Sequence, residues 1–321
     1  MNHLGSHFET MARSMLLTRF IRNRIISSAT GPFGRVPYPL ANSLDYRGDS
    51  GLFGPGSVSW RVLGDVSTFI GGIRALMVQA AHPEVVAGVE DHSRYRQDPL
   101  GRLSRTSAYV TATTYGAMPE VETAVDKVRK VHRPIKGLSH RDIPYTADDT
   151  DLSAWVHNAL TDSFLVAFQV FGPAPLSAAE ADRFVAEQTR VGALFDSDPM
   201  PSTAAELSAW IAGHPDLGPS PGMEDAVDFL VRPPLPTLGQ RAGYRAMQAA
   251  AVATLPPRLR AVLGVRAWPG AIVVVRPLIS LLRWALGMSP SWQLALLRVG
   301  AEVPPGVFRQ PLPVPVHRAG G

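Results

Sequence analysis

The sequence predicts an all-α protein, a single mostly helical domain with irregular ends. Three observations carry this. Apolar residues recur at spacings of three and four from Val58 almost to the end, strict apolar–polar alternation is nearly absent, and Gly and Pro interrupt the pattern at helix-length intervals. Apolar residues at 45% against 18% charged give a globular balance, and 321 residues suffice to bury a sizeable core.

Taken in order, residues 7–27 interleave Phe8, Met11, Met15, Phe20, Ile21 and Ile25 with arginines, the pattern of a basic amphipathic helix. Such a helix docks on its parent domain or lies against a membrane surface, and both readings stand. Residues 31–56, rich in Gly, Pro, Asn, Asp and Ser, are an irregular approach. Helices follow over 70–80 and, after a proline break, from 83 to 89. A helix over 100–115 is closed by Gly116. The next, over 119–133, has Pro119 in its first turn and is stopped by Pro134. A long apolar helix over 152–171 ends at Gly172-Pro173. Ser177…Glu180 and Thr203…Glu206 are capping boxes that open two more helices. A proline-rich joint spans 232–236, and two or three helices fill 238–299 with kinks at Pro256-Pro257, Pro269 and Pro277. Five prolines in 303–321 read as a loose end. The expected organisation is an N-terminal helix and approach segment over 1–44, a catalytic domain over 45–300 and a flexible tail over 301–321.

Composition excludes several classes. A net charge of +4 spread over scattered arginines offers no clustered basic face, so nucleic acid is not an expected partner. With no cysteine, there are no disulfides, thiolate metal sites, iron–sulfur clusters or covalent c-type haem. Arg19, Arg22 and Arg24 interrupt the apolar start before it reaches the length of a secretory signal. The apolar run over 268–275 stops at Arg276, well short of the ~20 residues that a span requires. The expectation is a cytoplasmic protein, with peripheral membrane contact through 7–27 as its one lipid contact. Dinucleotide, phosphate-loop, His-Glu-x-x-His, Gly-x-Ser-x-Gly and paired Glu-x-x-His motifs are all missing.

Nine histidines remain as metal ligands. His3, His7 and His317 lie near the ends, His82 and His214 sit in breaks before prolines, and His140 is in a polar loop. His92, in Glu90-Asp91-His92-Ser93, suits an N-cap or an ion pair. His132 continues the inward stripe of Val121, Val125 and Val128. It reads either as a buried ligand or, among Lys127, Arg129, Lys130 and Arg133, as a charge complementing the helix C-terminus. His157 shares a buried face with Leu160, Phe164 and Phe168, as a ligand or as a core histidine bonded to a carbonyl. Arg102, Thr106, Tyr109 and Thr113 form one stripe, with Arg105 a turn from Tyr109. That stripe faces either solvent or an anionic or cofactor partner.

The run Gly71–Pro83, then Val89-Glu90-Asp91-His92-Ser93, then Asp98-Pro99-Leu100-Gly101-Arg102-Leu103-Ser104-Arg105-Thr106 resembles the MpaB/latex-clearing-protein (rubber oxygenase) family. His132, Tyr145-Thr146-Ala147-Asp148, Trp155-Val156-His157, the segment from Gly51 to Ser57 and the segment from Arg232 to Pro236 extend the resemblance over about 45–290. The resemblance implies an all-α fold related to the globin-like core of latex-clearing proteins, non-covalent haem b, and an oxygenase acting with dioxygen on an apolar, unsaturated or lipid-like small molecule. It implies His132 as the axial ligand and Arg102, Arg105 and Thr106 as the distal group. Tyr109 would line the cofactor site, with His157 as fallback ligand or as a group orienting the first. A haem-binding sensor and a haem-free helical scaffold are the alternatives. Latex-clearing enzymes carry lysine where this chain has Arg105. Arginine stays protonated and cannot serve as a base, which argues against polyisoprene cleavage.

Overall fold

The structure is a computed structural model that describes residues 2–314, with side chains from residue 16 onward. Phe8, Met11 and Met15 of the N-terminal pattern, together with His3, His7, His317 and the end of the expected tail, lie outside the described side chains.

Fourteen helices follow one another among the described residues: α1 (Asn2–Thr30), α2 (Val58–Gly64), α3 (Thr68–Ala80), α4 (Pro83–His92), α5 (Pro99–Tyr115), α6 (Met118–His132), α7 (Thr150–Phe171), α8 (Ala178–Ala193), α9 (Ala204–Gly213), α10 (Pro221–Val231), α11 (Leu238–Ala253), α12 (Pro257–Val262), α13 (Ala271–Leu286) and α14 (Pro290–Arg298). Short 3-10 turns occupy Gly31–Phe33 and Ser43–Asp45 in the irregular approach. The all-α expectation holds. The exception is one small antiparallel hairpin, β1 (Lys136–Leu138) with β2 (Pro144–Thr146), in which Gly137 faces Tyr145.

The core is built on α3 against α7. Gly71 allows that close approach, because a Cβ there would meet Phe164 Cδ1 at 2.7 Å and the Ser163 carbonyl at 3.2 Å. Arg74 is buried at the same seam and donates to Asp162 at 2.6 Å and Ser163 at 2.8 Å. Helices α10 and α11 cover α3, α8 and α9 cover α7, and α13 with α1 forms an outer layer. Ile70, Met77, Trp155, Phe168, Phe184, Leu207 and Ile279 fill the interior. Both capping boxes form: Ser177 accepts from the Glu180 amide, and Thr203 from the Glu206 amide.

A second apolar cluster joins Leu40, Trp60, Tyr115 and Leu294, and it corrects the expected tail. Ala301, Val303, Phe308, Leu312 and Val314 pack against this cluster, with Phe308 edge-on to Trp292 at 5.7 Å. Pro277, where a kink is expected, lies inside α13, which continues through it. Four helices, not two or three, occupy 238–299. No helix among the described residues is long and apolar enough to cross a membrane.

Candidate functional site

Helix α5 starts where Asp98 accepts from the Gly101 amide at 3.0 Å, with Pro99 in its first turn. The stripe predicted along it is graded. Arg102 is half-buried, Thr106 is exposed, Tyr109 is half-buried and Thr113 is buried. Arg102 donates to Ser93 Oγ at 2.7 Å and lies 5.8 Å over the Tyr95 ring. Burial lowers its pKa, so the guanidinium carries an incompletely hydrated charge. Of the two readings of the stripe, Arg105 takes the solvent-facing one. Its side chain is 56% exposed and reaches back to Asp98 Oδ2 at 3.2 Å, and this bond holds the Asp98 carboxyl below its ordinary pKa.

Helix α6 carries its valine stripe inward as predicted, with Val121 and Val125 buried and His132 half-buried at the end. The His132 ring makes no hydrogen bond among the described residues. Burial lowers its pKa, and Asp148 opposes that shift in part. One turn earlier, Arg129 donates to the Leu194 carbonyl at 2.6 Å and to Asp196 at 3.1 Å, capping the end of α8.

His157 on α7 lies 2.9 Å through Nε2 from the Gln188 carbonyl of α8, and Thr161 Oγ1 is 3.4 Å away. Burial pushes its pKa down to about 4. His92 departs from the reading as an N-cap or ion-pair partner. It ends α4 instead, with Nε2 3.3 Å from the Lys136 carbonyl of the hairpin.

These helices converge on Phe195, just past α8. Tyr109 of α5 meets it edge-on at 5.9 Å, and the Arg129 guanidinium of α6 lies 5.7 Å over it. His157 is beside Gly192 on the same end of α8. Burial raises the Tyr109 pKa, so its phenol stays protonated. Phe195 and Arg129 escaped the sequence reading, because neither belongs to a motif. The structure therefore brings α5, α6 and α7 to one place. Among the described residues, however, no hydrogen bond or ion pair joins Arg102, Arg105 or Thr106 to His132.

Two histidines treated as turn residues also come together. His82 and His214 are buried with ring centroids 5.4 Å apart, beside Trp155 and Trp210.

Residues 60–284 match the family described as ER-bound oxygenase mpaB/B'/rubber oxygenase, catalytic domain. The chain belongs to this oxygenase family. The matched span holds α3 to α12 entire and with them every candidate residue above. No curated protein and no solved structure matches the chain.

Proposed function

We propose that this oxygenase-family chain uses non-covalent haem b and dioxygen to oxidise an apolar, unsaturated or lipid-like small molecule. The observation that carries the reading is the family match over 60–284, which contains α5, α6 and α7 together. The donor set fits the cofactor. A residue that would hold its iron must offer a neutral imidazole with an uncommitted nitrogen, and His132 is half-buried, lowered in pKa and free of hydrogen bonds among the described residues. His157 has its Nε2 committed to a carbonyl and could ligate only through Nδ1. A chain without cysteine suits haem held non-covalently.

Haem, when bound, supplies a redox-active iron that lets dioxygen react with an unactivated substrate. The rest falls to the chain. His132 would hold the iron through its lone pair and, kept neutral by burial, would not need to lose a proton first. Arg102 holds a fixed, partly desolvated positive charge that favours negative charge building up on oxygen. Thr106 adds a neutral hydroxyl donor on the same stripe, and Tyr109 against Phe195 supplies an apolar wall that excludes water. His157, tied to α8 through Gln188, positions α7 against that wall. Arg105 is held on the exposed side by Asp98 and cannot accept a proton, so polyisoprene cleavage is not the reaction we assign.

Substrate of this kind reaches a protein through a lipid surface, and α1 with α13 presents one face suited to it. Leu16, Leu17, Phe20, Val273 and Val274 are exposed there among Arg19, Arg24 and Arg276. We assign peripheral membrane contact to that face.

The deciding experiment is the absorption spectrum of the purified protein, oxidised and reduced, followed by substrate-dependent oxygen uptake. A Soret band is expected in the wild type and in His157→Ala, and absent in His132→Ala. A colourless protein after expression with ample haem overturns the reading. Loss of the band in His157→Ala alone moves the ligand from His132.

A further inference from the structure

Outside the α5–α6–α7 site, the most unusual chemistry lies where α3 gives way to α4 and α9 to α10. His82 and His214 each precede a proline, which drives the preceding residue out of helical geometry. His82 takes φ −99° and ψ 114°, and His214 takes φ −52° and ψ 128°. His82 therefore precedes the first turn of α4 and His214 closes α9, and each imidazole is buried. The Gly218 amide donates to the Ala81 carbonyl at 3.2 Å and pins the two breaks side by side. The rings are 3% and 4% exposed and are walled by Trp155, 4.8 Å from His214, and Trp210, 4.7 Å from it.

Aromatic packing alone would explain four neighbouring rings. It does not explain the nitrogens. Neither Nδ1 nor Nε2 of His82 has a hydrogen-bond partner among the described residues, although both are buried. A buried polar atom left unpaired is costly, and native interiors rarely tolerate it. Glu84 Oε2 lies 3.3 Å from His82 Nδ1 without hydrogen-bond geometry, and the Glu84 carboxylate accepts from Nε and the terminal nitrogen of Arg141. The Asp216 amide donates to His214 Nδ1 at 3.4 Å, which leaves Nε2 as the donor that ring can offer an ion, and the Asp216 carboxylate, on the solvent side, lies 4.0 Å from Nδ1 and pairs with no Lys or Arg among the described residues. One donor atom from each of His82, His214 and Asp216 falls within 4.8 Å of the others.

We propose that His82, His214 and Asp216 bind a divalent transition-metal ion of zinc type, with Asp216 closing from the exposed side. Two imidazoles and one carboxylate form a nitrogen–oxygen set suited to such an ion, and three protein ligands leave a further position for water or Glu84. Metal–ligand bonds of about 2.0–2.2 Å require the donors to close up by roughly 1 Å. Asp216 is half-exposed on a turn and can make most of that movement. The ions facing the cluster are Glu84 with Arg141, Asp151, and Arg258, which holds the Ala212 carbonyl. With the Asp216 carboxylate, the local balance admits a cation. The ion ties the α3–α4 corner to the α9–α10 loop and shares no residue with the proposed haem site.

The test uses the full chain, stripped with a chelator and then titrated with Zn²⁺ alone. One zinc per chain is expected to survive dialysis, measured by elemental mass spectrometry, and zinc but not magnesium is expected to raise the unfolding midpoint. His214→Gln should lose the zinc. Asp216→Asn, at an exposed position that leaves the fold intact, should weaken binding roughly tenfold or more. The Soret band of Asp216→Asn, recorded in parallel, should be unchanged, which separates failure here from failure of the haem reading. Zinc retained equally by wild type, His214→Gln and Asp216→Asn, or no retention by wild type, overturns the proposal.

Discussion

Nε2 of His157 and the main-chain carbonyl of Gln188 lie 2.9 Å apart across the α7–α8 seam. A carbonyl only accepts, so this nitrogen carries a hydrogen and its lone pair is unavailable to a metal. The bond has a consequence for stability. Burial lowers the folded-state pKa of His157 from its ordinary value of 6.5 to about 4. A depressed pKa means that folding favours the neutral ring, so the contribution is fully present above pH 6.5 and is lost as pH falls toward 4. Denaturant unfolding should show stability declining across that window by at most about 3 kcal/mol from this group. His157→Gln, which keeps a donor, should flatten the decline while retaining the Soret band. An unchanged pH slope in that variant would show that His157 is solvated.

Arg102 and Arg105, alike in sequence, should separate in experiment. Arg102 is half-buried against Ser93 and Tyr95, whereas Arg105 is exposed and paired with Asp98. Arg102→Ala should weaken binding of a small anion such as cyanide to the oxidised protein by roughly tenfold or more, as expected on losing a partly desolvated cation. Arg105→Ala should leave that affinity and the unfolding midpoint nearly unchanged, since exposed pairs contribute little. Equal losses in the two variants would place Arg105 at the iron.

How much of this was legible depended on how local the determinant was. The capping boxes at Ser177 and Thr203 and the stops at Gly116 and Pro134 are set by neighbours within four residues, and they read correctly. The hairpin over 136–146 did not, because strands of three residues are too short to display alternation. Spacing left Arg105 open between solvent and a buried partner for a different reason. Helical spacing places its Cα beside Tyr109, but a long side chain reaches back seven residues to Asp98. His82 and His214 were each read rightly as breaks. Long-range packing on Trp155 and the Gly218–Ala81 hydrogen bond, which no periodicity encodes, make them neighbours. Phe308 and Leu312 were masked by the prolines around them and anchor what read as a loose end.

The α3–α7 seam depends on the buried Arg74–Asp162 pair, at 2.6 Å, with Ser163 as second acceptor. Removing one member strands the other charge in the interior. Arg74→Ala should cost about 3–5 kcal/mol by denaturant unfolding. Replacing both, as Arg74→Met with Asp162→Leu, should cost far less, because the desolvation of two ions disappears with the ions. A double variant as unstable as Arg74→Ala would mean that the pair supplies more than its own neutralisation.

The outer face formed by α1 and α13 should bind anionic membranes. Phe20 is 60% exposed and Val273 71%, while the Arg22 guanidinium lies 4.8 Å over Trp284 and locks the two helices into one surface. From residue 16 to the end of α1, and along α13, there is no acidic residue. Apolar insertion and basic attraction act together on such a face, and each arginine near an anionic surface adds about 1 kcal/mol. Flotation with vesicles containing phosphatidylserine should recover the protein, and vesicles of phosphatidylcholine alone should recover much less. Arg19→Ala with Arg24→Ala should reduce binding roughly tenfold or more, and raised salt should do the same to the wild type. Phe20→Ser with Val273→Ser should reduce binding to both vesicle types, because that change removes insertion and leaves the charge in place. Recovery indifferent to lipid charge and to all four substitutions would assign these exposed side chains to another protein surface.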